Sequence, residues 1–564
     1  MLHGDRHRQD FSLRARLGWH SFCPASTILA GAQRAAYFPV DVPMSAQVPR
    51  QISRIDALLS QGDLAGAMQC ALQAAHDGID SALLHLRLAT LALRLGRYRE
   101  SLAHTLTAHE KAPIEPAEIM DLANRLVYFN QSEALVALAQ RLLSGPILQA
   151  GSESDLAAMV SMMGAQTVAM PLLERAMAVT GPNPANLYNR SQMRMYLGRM
   201  AEAESDLRTC LDLAPELARA HWALSKLRTT GANELDLTML RRLLATPKPP
   251  QDQVYLRFAQ FNQLDRAGRV DEAWAALVKG STVKRQLLKY DPQRSRQLVE
   301  SLIAMPTTEL PTSNCNHVAS PLPIFIVGMH RSGTTLLERI LGNHSQVSEA
   351  GELYDFPAQL RWAIGRHFSG PLDAAVLEDE AAIDFAEVGR RYLDQVRWRA
   401  GGRPFLIDKL PSNFLNIGFI RRALPQAKIV HMRRNAMDTC FSNLKELFSN
   451  ACAYSYDQDE LADYYGLYRR LMTHWHGAAP GFVLDVSYEE LTADPQAQAR
   501  RILDFCGLEW QPGCVDVGSN DRAVNTASSA QVREPIHRRN IEAWRRYAPH
   551  LQRLQARLAE QGLD

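Results

Sequence analysis

Turn-forming residues recurring every 34 positions constrain this chain more than any other feature. Gly62 opens Gly-Asp-Leu-Ala-Gly-Ala, and Gly96 opens Gly-Arg-Tyr-Arg-Glu-Ser 34 residues later. Further steps of 34 land on Asn130, Gly164 and Gly198, and Gly268 follows after two repeats plus two residues. Five positions past the anchors stand Ala67, Ser101, Ala169, Ala203 and Ala273; twelve past stand Ala74, Ala108, Ala176 and Cys210. Pro113 and Pro215 lie seventeen past two of them. Gly or Asn supplies the left-handed turn between two helices. Small residues let the paired helices approach, and Pro ends the second helix before the next unit begins. The pattern predicts stacked helical hairpins over residues 48–300, in about seven units, with those around Gly231 and at the end degenerate.

This spacing resembles the tetratricopeptide repeat, whose helix pairs stack into an α-helical solenoid. The resemblance implies a binding surface without naming its partner, and a protein or peptide acceptor is the expected occupant. The array could equally serve as a structural or homodimerisation arm.

A chain of 564 residues exceeds what one hydrophobic core supports. The 62 Lys and Arg against 60 Asp and Glu leave a net charge of +2, which excludes a nucleic-acid-coating protein and leaves room only for local basic pockets. Eight cysteines form no Cys-x-x-Cys pair and no zinc spacing with histidine, so they read as reduced thiols of a cytoplasmic protein. His330, His431, His474 and His476 show no metal spacing either, and read as structural, with His330 placed to line a donor site. No stretch approaches the ~20 apolar residues of a membrane span. Residues 1–43 are basic and carry neither a helical period nor a signal-peptide core, and Met44 opens the helical pattern. They read as an over-extended start or a disordered leader.

Residues 305–323 abandon the helical period for Pro, Thr and Ser and read as a linker. Beyond them, over 322–564, short apolar runs alternate with amphipathic helices, the signature of a parallel α/β sheet. The expected strands are Ile324–Val327, Phe405–Ile407, Lys428–Met432 and Phe482–Val486. The first runs into Gly328-Met-His-Arg-Ser-Gly-Thr-Thr335 and then an apolar helix, Leu336–Leu341. Strand, glycine loop and helix together aim backbone amides and a helix dipole at a phosphate. The loop has P-loop spacing, but Thr334-Thr335 replaces the Lys-Ser/Thr that a nucleoside triphosphate requires. Asp485 could stand in for a Walker-B acid, which keeps an NTP-dependent kinase as a minor alternative.

The segment from Pro323 to Leu341 resembles the 5′-phosphosulfate loop of sulfotransferases that use 3′-phosphoadenosine-5′-phosphosulfate (PAPS). Leu424 to Ser442 resembles the 3′-phosphate motif of the same family, in which Arg ends a strand and Ser follows eight residues later. The resemblance spans about residues 322–555, is strongest to tyrosylprotein sulfotransferases, and implies a P-loop-type α/β domain with PAPS as co-substrate and no metal. It assigns Arg331, Ser332, Gly333, Thr334 and Thr335 to the 5′-phosphate and Arg434 with Ser442 to the 3′-phosphate. It makes Lys409 the neutraliser of the sulfuryl oxygens and leaving phosphate, and places Tyr488 near the nucleotide. Ser528 and Arg533 match a loop that closes on the donor. Glu352 stands near the family's catalytic carboxylate after a one-residue shift, with Glu349 as its rival.

The implied chemistry is an in-line displacement, with Glu352 removing the acceptor's proton while Lys409 and the loop stabilise charge on the departing phosphate. Peptide tyrosine, carbohydrate hydroxyl and small phenol all stay open as acceptors. The rival class is a non-enzymatic scaffold carrying a relict nucleotide-binding domain.

Overall fold

The computed structural model describes residues 50–227, 233–305, 320–448, 450–519, 522 and 535–563. The leader at 1–43, most of the 305–323 linker, Gly231, Ser528 and Arg533 lie outside the described residues.

Among the described residues, fifteen helices run from Arg50 to Ala304. Every turn anchor adopts positive φ: Gly62 79°, Gly96 74°, Asn130 55°, Gly164 84°, Gly198 80° and Gly268 74°. The residue after each anchor donates its N–H to a carbonyl five residues back, as Arg97 does to Ala92, Gln131 to Leu126 and Arg199 to Arg194. This is the Schellman closure that satisfies the orphan carbonyls of a helix end. The small residues of the pattern sit where the helices of a pair meet. Ala67, Ala74, Ser101, Ala108, Ala169, Ala176, Ala203, Cys210 and Ala273 are all 0% exposed.

The second half forms a five-stranded, all-parallel sheet: β1 Leu322–Gly328, β2 Val347–Glu349, β3 Phe405–Asp408, β4 Lys428–Arg433 and β5 Val483–Ser487. Strand order is β2-β3-β1-β4-β5. Ile324 pairs with Ile407 on one side of β1 and with Lys428 on the other. Central β1 is covered on both faces, with Ile324, Phe325, Ile326 and Val327 fully buried, which is why it reads as a continuous apolar run instead of alternating. Four strands lie where the apolar runs place them. Three-residue β2 has no apolar run of its own and is held by β3, with Val347 opposite Phe405.

The described residues divide into two compact units. One holds those up to Thr180 together with Pro357–Gly370, and the other holds Gly181–Phe356 with Pro371 onward. The later helices thus share a unit with the sheet. Within it, Arg285 binds Glu460 at 2.6 Å and Tyr547 donates to Asp265 at 2.6 Å. In the first unit, Arg99 donates to the Trp362 carbonyl at 2.8 Å, and Tyr128 stacks on His367.

Candidate active site

In an all-parallel sheet the C-terminal ends of the strands share one edge, where ligands bind at the switch in strand order. Those polar residues singled out from the sequence that are described collect there; Ser528 and Arg533 lie outside the described residues. At the end of β1 the chain wraps so tightly that only glycine fits. A Cβ on Gly328 would lie 2.6 Å from the Met432 carbonyl oxygen, and one on Gly333 would lie 2.5 Å from the Tyr488 ring. Arg331 between them holds φ at 66°, unusual outside glycine. The helix Thr334–Gly342 then begins with no side-chain cap on its first amides, the arrangement that receives an anion. Ser332 Oγ is buried in the loop without a protein partner. Close backbone, uncapped amides and a spare hydroxyl fit a phosphate.

Lys409 follows β3 and is fully buried. Its N–H donates to the Gly351 carbonyl at 2.9 Å, and its ammonium donates to Glu352 Oε1 at 2.8 Å. Glu338, on the loop's helix, brings Oε2 to 3.8 Å of the same ammonium. Burial, opposed by Lys409 and reinforced by Glu349 and Glu352, pushes the Glu338 carboxyl up to about 7. The two rival carboxylates part company here. Glu349 pairs with Arg339 at 3.4 Å and Arg522 at 3.5 Å. Gly351, at φ 74°, turns the chain so that Glu352 meets Lys409 instead. His330 lies within 3.2 Å of the Tyr454 hydroxyl, and burial holds its imidazole down at about 4.

Arg434 follows β4. It donates to the Arg331 carbonyl at 3.1 Å and to the Asn540 carbonyl, and its guanidinium lies 4.8 Å over the Tyr488 ring. Its Nε is buried without a protein partner. Asp438 Oδ1 stands 3.9 Å away, too far for the tight pairing that would have consumed the arginine. Two turns beyond, Ser442 Oγ accepts from Arg331 Nε at 3.3 Å. Asn443 ties the same helix to the loop by donating to the His330 carbonyl at 2.7 Å. Arg331, Arg434 and Ser442 therefore converge, 103 and 111 residues apart in the chain. Tyr488 buttresses Gly333 from one side and Arg434 from the other.

Sequence reasoning missed Glu338 and Glu446. Glu446 accepts from Lys226 at 2.5 Å and stands 3.8 Å from Arg331. A signal for Glu338 existed: it is a carboxylate inside the apolar run Leu336–Leu341, where an unpaired charge would be costly. Nothing local marks Glu446. Asp485 is taken up in another network, accepting from His431 at 2.7 Å, His476 at 2.8 Å and Arg433 at 3.0 Å. His431 Nε2 meets the Tyr468 hydroxyl. At these separations Asp485 is committed to hydrogen bonds with His431, His476 and Arg433.

Residues 323–512 match the family model described as "Sulfotransferase family", so the chain carries a sulfotransferase domain. An uncharacterized protein of Aquifex aeolicus (strain VF5) is 32% identical over 332 residues, covering 57% of this chain and 43% of that protein. Protein-tyrosine sulfotransferase 1 of Danio rerio is 25% identical over 276 residues, covering 45% of this chain and 74% of that one. Among solved structures, the sulfotransferase domain of the Synechococcus PCC 7002 olefin synthase is 23% identical with a TM-score of 0.30, covering 42% of this chain and 90% of that one. The chain thus spans less than half of the Aquifex relative and about three quarters of the fish one.

Proposed function

We propose that a sulfotransferase domain built this way transfers the sulfuryl group of PAPS to an acceptor hydroxyl, with peptide tyrosine as the preferred acceptor class. The observation that carries the reading is the pair of buried Lys409 and half-buried Glu352, 2.8 Å apart, at the same sheet edge as the glycine loop. When bound, the donor supplies an activated sulfuryl group, whose bond to the 5′-phosphate breaks as the acceptor oxygen bonds to sulfur, leaving adenosine 3′,5′-bisphosphate. The loop amides, Ser332, Thr334 and Thr335 would hold the 5′-phosphate, and Arg331, Arg434 and Ser442 the 3′-phosphate. The unused Arg434 Nε and Ser332 Oγ are available for those contacts.

Glu352 takes the acceptor hydroxyl's proton, a task that needs a carboxylate within hydrogen-bond reach. Lys409 contributes a positive charge that needs no reorganisation, because its surroundings hold it in place beforehand. The ammonium comes from the end of β3 and not from the loop, as a Walker lysine would, so charge is aimed from a different direction. His330 stays neutral at physiological pH and cannot serve as a cationic clamp.

Binding separates this reading from phosphotransfer. Adenosine 3′,5′-bisphosphate should raise the melting temperature more than Mg-ATP does, and the reverse order would sink the proposal. The tyrosine assignment leans on the fish relative's name and on a helical array larger than a small phenol requires. We assign that array, read as tetratricopeptide-like, to docking of a protein acceptor. The full chain should then sulfate a protein acceptor at a lower KM than a tyrosine peptide excised from it. Equal KM values would assign the array to assembly or localisation.

A further inference from the structure

On the reading that the Lys409 pocket performs sulfuryl transfer, we propose that Glu338 is a positioning residue that keeps the Lys409 ammonium charged and in place while Glu352 carries the acceptor's proton. Glu338 occupies a helix whose neighbouring side chains Leu337, Ile340 and Leu341 belong to the hydrophobic core. A carboxylate there is retained against a substantial desolvation cost. Arg339, the next residue, turns away to Glu349 at 3.4 Å and to the Arg522 carbonyl at 2.7 Å. The ammonium that faces Glu338 is that of Lys409, at 3.8 Å.

The geometry gives the two carboxylates different tasks. Glu352, at 2.8 Å, hydrogen-bonds the ammonium directly, whereas Glu338 stands just beyond hydrogen-bond range. When the acceptor O–H gives its proton to Glu352, that carboxyl becomes neutral. A fully buried ammonium facing only neutral groups tends to shed its proton. An ionised Glu338 opposes that loss and forms no bond to any reacting atom. The groups facing it are Lys409 and Asp408 from β3, Glu349 and Glu352 from β2 and the turn after it, Arg339 on its own helix, and His330 near the same pair. With its carboxyl pushed up to about 7, Glu338 passes from mostly neutral to mostly ionised across the neutral range.

Two measurements test this. With PAPS and a tyrosine-containing peptide, wild-type kcat should rise through the neutral range. Glu338→Gln should lose that rise and run about tenfold slower on its alkaline side, less than the 10²–10³ expected for a group in direct contact. Its KM for PAPS should be nearly unchanged, and Glu338→Asp should restore part of the pH-dependent rise. The second readout needs no turnover. A carboxyl whose folded-state value is raised contributes stability below its ordinary value, and loses it as pH climbs through the folded one. Urea denaturation should therefore show the wild type losing stability relative to Glu338→Gln from acid to mildly alkaline pH. Should that difference be flat, or should Glu338→Gln keep the wild-type rise in kcat, the inference fails alone. A wild type that shows the stability difference but transfers nothing from PAPS sinks the functional reading, and this inference with it.

Discussion

The helical array and the parallel sheet tie their polar side chains in different ways. In the array, several partners lie about one repeat apart: Arg87 with Asp56 and Lys111 with Asp80 at 31 residues, Lys248 with Glu216 at 32, Arg125 with Thr90 at 35. Each bond joins a hairpin to its neighbour, so stability is close to a sum of local terms. In the sheet domain the corresponding separations are 57 for Lys409 with Glu352, 103 for Arg434 with Arg331, and 111 for Arg331 with Ser442. No repeat spacing could encode them. They exist only because parallel strands bring distant segments to one edge. Changes in the sheet should therefore act on chemistry and binding, and changes in the array on local stability.

The largest expected effect is Glu352→Gln, which should lower kcat by roughly 10²–10⁴ through loss of the general base. Affinity for adenosine 3′,5′-bisphosphate, measured by calorimetry, should stay put. Glu349→Gln, altered at a carboxylate committed to Arg339 and Arg522, should turn over near the wild-type rate. An inactive Glu349→Gln beside an active Glu352→Gln would reverse the assignment.

Next comes Lys409→Met, with kcat reduced by about 10²–10³. It also leaves Glu338 and Glu352 facing each other without their cation, at a cost of about 3–5 kcal/mol. Because Glu338 titrates near 7, urea denaturation should find the defect smaller at acid pH, where that carboxyl is neutral, than at mildly alkaline pH.

On the proposed 3′-phosphate role, Arg434→Ala removes a charge-assisted contact worth about 1.5–3 kcal/mol, so calorimetry should show adenosine 3′,5′-bisphosphate bound roughly ten- to a hundredfold more weakly. Wild-type affinity in that variant would detach the 3′-phosphate from this arginine.

The array can be probed at one of its fully buried small residues. Ala71→Leu overpacks a position with no exposed surface and should cost about 1–3 kcal/mol by denaturation, without altering nucleotide affinity. A nucleotide defect there would break the contrast between the two regions.

Smallest is Gly96→Ala. A Cβ there meets nothing within 4 Å, so only the φ of 74° opposes it, at about 1–2 kcal/mol. Half of the anchors tested this way giving no loss would leave the turn pattern without its energetic basis.

Much of the protein was legible because its signals are local. Helix hairpins announce themselves through turn residues at fixed spacing, since a left-handed residue and its closing hydrogen bond involve only a few neighbours. The glycine loop is legible for the same reason: Gly328 and Gly333 stand where backbone must pass close to backbone or ring. Strands β1, β3, β4 and β5 follow from their apolar runs. Short β2 does not, being held by its partner and not by its own residues.

Residue types and spacing by themselves determined a helical repeat array, a glycine loop between strand and helix, and the set of polar residues around it. Only the tertiary structure decided which carboxylate meets Lys409. Glu349 and Glu352 lie three residues apart in one segment, and composition cannot tell them apart. The register of β2 on β3 and the left-handed turn at Gly351 send the first to Arg339 and the second to the buried ammonium. Glu338 needed the same closure, because a lone carboxylate in an apolar helix has no legible partner until a strand end 71 residues away delivers the lysine beside it.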